Sequence, residues 1–276
     1  MSAPPLPVPF SPPRLLAFDL DGTLIIEQGL FVPDDSRAAL TRLRAQGVKV
    51  AIVTGRDQPP PGVLEATRPD AVATHNGGRV EIGGELHSQL HFSSSELEAV
   101  LAHQLGGARV MAFTAEAVYI DTAPGMVVPD WLSRREHFPL AQAPRQAVTK
   151  IGFYHPGVAS WRDELRSGDY GHLVYTGAQA PYPDFLTVTP GGADKGAALS
   201  IIAEQFGIPL AQVTVFGDSD NDEAMFMVAG RAVQVGDLPL LRPYAHDQVP
   251  GPEALGAYLH ALADELERIG GLARPG

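Results

Sequence analysis

RLLAFDLDGTL, residues 14–24, is the stretch that decides the fold. Its apolar run, Leu15–Phe18, is typical of a strand buried on both faces of a parallel sheet. The run stops at two aspartates, Asp19 and Asp21, whose side chains point to the same side in an extended chain. Ligands bind at this carboxyl edge of open α/β sheets. Two carboxylates so close together predict a bound cation or a shifted pKa.

The following residues continue an alternation of strand and helix. Residues 33–45 predict a helix that ends at Gly47. Val48–Val53 predict a second buried strand, which runs into Thr54 and Gly55. A strand, a helix and a parallel strand in this order predict a right-handed βαβ unit.

The middle of the chain has a different pattern, with many strands and few crossover helices, which indicates an inserted α+β module. After this module the alternation of helix and buried strand returns. We therefore expect an α/β protein whose Rossmann-like parallel-sheet core is made of residues 14–89 and 188–276. Residues 90–187 would form the α+β domain, and the proline-rich residues 1–13 a flexible leader.

Composition excludes several classes of function. The formal charge of -12 argues against sequence-independent nucleic-acid binding, which needs an excess of Lys and Arg. The chain has no cysteine, which excludes disulfides and thiolate metal ligands and fits a reducing compartment. Its start lacks the basic region of a signal peptide, and no apolar run is long enough for a bilayer. We expect a cytoplasmic protein that binds neither nucleic acid nor membrane.

Four signals follow one another in a fixed order, each near a strand end or a helix start. They are Asp19-x-Asp21-Gly22-Thr23, then Thr54-Gly55-Arg56, then Lys195, then Gly217-Asp218-Ser219-Asp220-Asn221-Asp222. Taken singly, each also fits an ordinary turn, cap or solvated side chain. Together they resemble the haloacid dehalogenase superfamily. The insertion between the second and third signals is similar to the α+β cap of the Cof-like phosphatases.

The resemblance implies a set of oxygen ligands for Mg²⁺, which prefers few and hard donors. These are Asp19, the backbone carbonyl of Asp21, and Asp218, with Asp222 behind them or ligating through water. The residues that it implies for substrate binding are Thr54, Gly55, Asn76, Lys195 and Asn221.

Two of these residues also have expected catalytic roles. Thr54 would donate a hydrogen bond to the phosphoryl oxygens. Lys195 would neutralise developing charge and hold Asp19. The prediction for Asn76 has weaker support, because an Asn-Gly pair is more often simply a turn.

The chemistry of a phosphate monoester explains why two aspartates are needed. The dianion repels nucleophiles and its alkoxide leaves poorly, so catalysis requires in-line attack, charge neutralisation and protonation of the leaving group. We assign Asp19 as the nucleophile, which forms an aspartyl-phosphate. Asp21 would be the general acid, and then the base that activates water.

The sequence therefore predicts a Mg²⁺-dependent phosphatase that acts on a small phosphorylated metabolite, such as a sugar phosphate. A phosphosugar mutase with the same site is an alternative, and would need a bisphosphate activator. A non-catalytic protein that binds a phospho-ligand is a further alternative. A dehalogenase is disfavoured, because it has no use for a metal site or for an acid at Asp21. Neither the substrate nor the oligomeric state can be predicted from one chain.

Overall fold

The computed structural model describes residues 12–26, 29–102, 107–121, 136–179 and 182–270. Residues 1–11 of the expected leader therefore lie outside the described part. Within the described residues the strands form two sheets, one of eight strands and one of six. No helix in these ranges combines the length and the apolar character that a bilayer crossing requires.

The elements follow the expected alternation at both ends of the chain. The helices are α1 (Asp34–Ala45), α2 (Pro61–Thr67), α3 (Ser94–Ala102), α4 (Val158–Ser167), α5 (Lys195–Gln205), α6 (Glu223–Val228) and α7 (Pro252–Arg268). The strands of the first sheet are β1 (Leu15–Phe18), β2 (Lys49–Val53), β3 (Ala71–Thr74), β4 (Arg79–Ile82), β5 (Glu85–Gln89), β12 (Val213–Gly217), β13 (Arg231–Val235) and β14 (Asp247–Val249).

The first sheet has the strand order β14-β13-β12-β1-β2-β3-β4-β5. The six strands from β14 to β3 are parallel, and β4 and β5 add an antiparallel edge. Strand β1 lies inside this sheet, between two strands that come from opposite ends of the sequence. The expected α/β class with a parallel-sheet core is confirmed.

Helices cover both faces of the first sheet, which explains the uninterrupted apolar run of β1. Leu16 and Phe18 pack in a cluster with α1 and α7. Leu15 and Ala17 point to the other face and pack in a cluster with α5 and α6. All four side chains are fully buried. Burial on both faces is the arrangement that continuous apolar strands require.

The second sheet is formed by the inserted part of the chain. Its strands are β6 (Arg109–Phe113), β7 (Val118–Ile120), β8 (His137–Pro139), β9 (Lys150–Tyr154), β10 (Val174–Gln179) and β11 (Tyr182–Thr189). Their order is β10-β11-β9-β6-β7-β8, and all neighbours are antiparallel except β7 and β8. A separate apolar cluster includes Phe153 and Trp161, whose rings meet edge to face at 4.1 Å. The expected domain limits at residues 90 and 187 remain a prediction.

Strand β3 ends in a turn that buries a histidine. His75 and Asn76 both have positive φ, 55° and 56°, and His75 is fully buried. Burial disfavours the imidazolium, and the nearby Lys150 repels it, so the pKa of His75 falls to about 3. An unfolded histidine titrates near pH 6.5. His75 is therefore neutral in the folded protein across the whole range from pH 7 to pH 4.

This burial predicts a pH dependence of stability. Below pH 6.5 the unfolded chain binds a proton that folded His75 does not, so stability falls by about 1.4 kcal/mol for each pH unit, until pH approaches the folded value. Between pH 7 and pH 5 this residue contributes a loss of about 2 kcal/mol. We expect His75→Asn to remove that part of the loss, because asparagine tolerates positive φ. Urea unfolding at both pH values measures it.

The exposed His87 provides the matched control. His87→Asn is expected to keep the wild-type difference between pH 7 and pH 5. An equal loss in wild type and His75→Asn would contradict the buried neutral state of His75.

Candidate active site

The carboxyl edge of three neighbouring parallel strands gathers the first site residues. Phe18 of β1 pairs with Ile52 of β2 and with Phe216 of β12, so these strands end at the same level. The next residue, Asp19, donates its backbone N–H to the Phe216 carbonyl at 3.0 Å. Asp218 follows the end of β12. The sheet itself therefore brings the first and last motifs together.

Three carboxylates form one cluster at this edge. Asp19, Asp218 and Asp222 each offer an oxygen, and these oxygens all lie within 4.8 Å of one another. Asp19 and Asp222 are buried, and Asp218 is partly buried. Three of the side chains expected near the metal thus meet in space.

A lysine ammonium lies between two of these carboxylates. Lys195 begins α5, and its side chain is fully buried. Its Nζ lies 2.7 Å from Asp19 Oδ1 and 2.6 Å from Asp222 Oδ1. Asp194 caps the helix by accepting from the Ala197 N–H at 2.8 Å, which fixes where α5 begins. The expected contact between Lys195 and Asp19 is present.

Asp222 is occupied by donors on both oxygens. While Oδ1 accepts from Lys195, Oδ2 accepts from the backbone N–H groups of Asp218 at 2.9 Å and Ser219 at 3.0 Å. Asp222 is therefore better suited to holding Lys195 and the acidic loop, residues 217–222, in place than to binding an ion directly.

Burial and charge shift the acid–base equilibria of the cluster. Burial raises the pKa of Asp19 to about 7, although Lys195 opposes the shift. Burial, followed by repulsion from Asp19 and Asp222, raises the pKa of Asp218 to about 9. Burial disfavours the ammonium of Lys195, but the two carboxylates outweigh it and raise the pKa of the lysine. Without a further cation, burial and mutual repulsion therefore favour the protonated forms of Asp19 and Asp218.

Gly22 and Thr23 allow Asp218 to lie close to the end of β1. Thr23 Oγ1 donates a hydrogen bond of 2.5 Å to Asp218 Oδ1. Gly22 has φ of 77°, and a Cβ at this position would overlap the Asp218 carboxylate. The small residue and the hydroxyl after the two aspartates are therefore what allows the acidic loop to lie against β1.

Asp21 has a side-chain partner that the sequence did not predict. Both of its carboxylate oxygens accept from Arg56, with Nε at 2.7 Å and Nη2 at 2.6 Å. Arg56 Nη2 also donates to the Gly29 carbonyl at 3.2 Å. The carboxylate of Asp19 therefore meets those of Asp218 and Asp222, while the carboxylate of Asp21, which the sequence aimed at the same point as Asp19, forms a bidentate ion pair with Arg56. The position of Arg56, three residues past the end of β2, was the available signal for this contact.

The remaining predicted residues are linked to one another. Asn221 Nδ2 donates to Asn76 Oδ1 at 3.0 Å, and the Asn76 N–H donates to the Thr54 carbonyl at 3.0 Å. The Gly55 carbonyl accepts from Nζ of Lys150, a residue of the second sheet, at 2.8 Å. Sequence reasoning missed Lys150, because nothing in the sequence relates strand β9 to the loop after β2.

The donor set fits a divalent cation. When ionised, the three clustered carboxylates and the one lysine leave two negative charges, and every donor is a hard oxygen. A cation here would favour the ionised forms of Asp19 and Asp218, which burial alone disfavours. Small hard cations such as Mg²⁺ prefer carboxylate oxygens.

Comparison with known proteins points to one family. The model of the haloacid dehalogenase-like hydrolases matches residues 16–239. An HMP-PP phosphatase of Cronobacter sakazakii is 31% identical over 267 residues, covering 92% of this chain and 96% of the relative. An HMP-PP phosphatase of Escherichia coli K12 is 29% identical over 244 residues, covering 83% of this chain and 86% of the relative.

Solved structures agree on the fold. A sugar phosphatase of haloacid dehalogenase subclass IIB has a TM-score of 0.76 at 20% identity, covering 93% of this chain and 99% of that chain. A phosphatase of the same superfamily from Bacteroides thetaiotaomicron has a TM-score of 0.73 at 20% identity, covering 94% and 95%. At this identity the likeness shows the fold.

The buried lysine predicts a large effect on stability. Lys195→Met leaves two buried carboxylates without their cation, so we expect the free energy of unfolding to fall by about 3–5 kcal/mol in metal-free buffer. Lys49→Met is the matched control, because the Lys49 side chain is 45% exposed in its pair with Asp70. The control is expected to cost about 1 kcal/mol or less. Urea unfolding in EDTA measures both, and equal losses would contradict the argument.

Proposed function

The chain belongs to the haloacid dehalogenase-like hydrolases, and from this premise we propose that it hydrolyses the phosphate ester of a small metabolite with the help of Mg²⁺. The names of its relatives, HMP-PP phosphatase and sugar phosphatase, favour a small phosphorylated substrate. The substrate itself would lie between the carboxylate cluster and the second sheet.

One observation carries the proposal. The buried Lys195 pairs with two aspartates from distant parts of the chain, Asp19 and Asp222, and a third aspartate lies next to them. Asp19 is fixed by Lys195 on one oxygen, at 2.7 Å. Asp218 lies close enough to share a cation with Asp19. A carboxylate that is fixed in this way can act as a nucleophile once a cation screens the approach of a phosphate dianion.

The bound ion and the chain have separate tasks. When bound, Mg²⁺ would neutralise charge on the phosphoryl oxygens. Asp19, Asp218 and the backbone carbonyl of Asp21 would hold it, while Asp222 keeps Lys195 in place. Thr54 would donate to a phosphoryl oxygen from the end of β2, next to the nucleophile in the sheet order.

The first step would be attack by an Asp19 carboxylate oxygen on phosphorus. The bond from phosphorus to the ester oxygen breaks, and that oxygen leaves with a proton from Asp21. An aspartyl-phosphate on Asp19 results, and the alcohol is released. Lys195 would offset the negative charge that accumulates around the phosphoryl group.

The second step would return the enzyme to its starting state. Asp21 takes a proton from water, the water oxygen attacks phosphorus, and the bond from phosphorus to Asp19 breaks to give inorganic phosphate. Arg56 donates to both carboxylate oxygens of Asp21 and so fixes the orientation of that side chain. We infer that Arg56 aligns Asp21 for this step.

Loss of the nucleophile predicts loss of turnover. We expect wild-type protein to release phosphate from p-nitrophenyl phosphate with Mg²⁺ and to stop in EDTA, since phosphoryl transfer needs the charge neutralised. Asp19→Asn should release none above background, because an amide is a poor nucleophile. Phosphate detection measures both.

Asp34→Asn is the control, since this aspartate is 91% exposed and does not belong to the carboxylate cluster. It should keep wild-type activity, and the circular dichroism of Asp19→Asn should match wild type. Turnover by Asp19→Asn, or full activity in EDTA, would refute the mechanism. Isomerisation of a sugar phosphate without release of phosphate would instead identify a mutase.

Asp21 predicts a different pattern, because it moves protons and forms no bond to phosphorus. Asp21→Asn is expected to lower kcat by about 10²–10⁴-fold with alkyl phosphates. The loss should be smaller when the leaving group is p-nitrophenolate, which needs no proton for departure, if the first step limits the rate. An equal loss for both classes of leaving group would contradict the role of Asp21 as an acid.

A further inference from the structure

Strand β10 of the second sheet is irregular where it approaches the acidic loop. Its pairing with β11 shifts between Gly177 and Gln179. Gly177 and Ala178 both have positive φ, 80° and 57°. We refer to Gly177 and Ala178 as the β10 bulge, since an extra residue in one strand is what defines a bulge.

The backbone of the β10 bulge is held in an unfavourable conformation. Left-handed geometry is unfavourable for alanine, because its Cβ approaches a carbonyl oxygen. At Gly177 no side chain is possible, since a Cβ would overlap the carbonyl oxygen of Phe185. Such backbone persists where its surroundings hold it, and it concentrates at functional sites.

Two charged side chains hold the bulge from opposite sides. Asp220 Oδ2 accepts from the Gly177 N–H at 2.6 Å and from Gln179 Nε2 at 3.1 Å. Arg162 of α4 donates from Nη1 to the carbonyls of Gly177 at 3.1 Å and Ala178 at 3.4 Å. Asp220 belongs to the first sheet's acidic loop, so this contact joins the two sheets. Hydrogen bonds to a charged acceptor are stronger than neutral ones.

The residue before the bulge reaches the candidate site. Thr176 Oγ1 accepts from Asn76 Nδ2 at 3.2 Å, and Asn76 Oδ1 accepts from Asn221 at 3.0 Å. Asn221 directly follows Asp220 in the chain. The contact between Asp220 and Gly177 therefore lies next to the contact between Asn76 and Thr176. Gly177 follows Thr176 in strand β10, and Asn221 follows Asp220 in the acidic loop.

We propose that Asp220 is a positioning residue for substrate binding, which holds the second sheet over the carboxylate cluster through the β10 bulge. Asp19, Asp218 and Asp222 turn towards one another, whereas the Asp220 carboxylate accepts from the second sheet. Asp220 would therefore affect how tightly the substrate is enclosed, and leave the transfer of the phosphoryl group unchanged. This inference rests on the proposed phosphatase function.

Kinetics of Asp220 variants test the proposal. Asp220→Ala is expected to raise KM by about tenfold, the effect of losing a hydrogen bond to a charged acceptor, with kcat within about twofold of wild type. Asp220→Asn keeps an oxygen acceptor and should restore most of the loss in KM. Asp169→Ala, at an exposed aspartate of the same inserted segment, should behave as wild type.

Arg162 allows the same bulge to be tested from its other side, away from the acidic loop. Arg162→Met should also raise KM. The double variant with Asp220→Ala should raise KM by less than the product of the single effects, because both residues act through one element. A fall in kcat with unchanged KM in Asp220→Ala, or fully multiplicative effects on KM, would overturn the proposal.

Hydrogen exchange separates this proposal from the proposed function. The Gly177 amide should exchange faster in Asp220→Ala than in wild type, whether or not any substrate is turned over. If wild type hydrolyses no phosphate ester, the proposed function fails while the contact stays measurable. Unchanged exchange at Gly177 in Asp220→Ala would overturn the assignment of Asp220 itself.

Discussion

The site depends on one ion pair network that is almost completely buried. Lys195 is fully buried, and its ammonium is shared between Asp19 and Asp222 at hydrogen-bond distances. A lone ammonium or carboxylate in such a place would be costly, so each group is stable only because the other is present. The sheet edge, the start of α5 and the acidic loop must consequently meet in one arrangement, since a displacement of any one of them leaves a charge unpaired.

The first sheet provides the geometry that this network requires. Because β2, β1 and β12 are parallel neighbours, the residues that follow them meet without long loops. The two apolar clusters on either side of the sheet hold the strands in register. Few additional contacts are then needed to position side chains at the carboxyl ends of these strands. The hydrogen bond from Thr23 to Asp218 is one of them.

Much of this arrangement could be predicted from local patterns. The apolar run before Asp19 predicted a strand buried on both faces, and the helices of α1 and α7 lie on one of them. The position of Arg56 after β2 was a signal for its pairing with Asp21, but it did not decide the pairing, because side chains at one sheet edge have several possible partners. The contacts that Asp220 and Lys150 make with the opposite sheet could not be predicted from the sequence either. These contacts depend on how the two sheets are oriented relative to each other. That orientation produces no periodic pattern of apolar residues in the sequence of either sheet.

The central pairing of β1 with β12 also has a consequence for the order in which the protein can form. A ribosome makes Leu15–Phe18 long before Val213–Gly217, its neighbour in the sheet. All six strands of the second sheet lie between Arg109 and Thr189, so this sheet is complete while one edge of β1 still awaits its neighbour. An uncovered strand edge invites pairing with other chains. The nascent chain therefore carries an aggregation hazard in the strand that leads directly into Asp19.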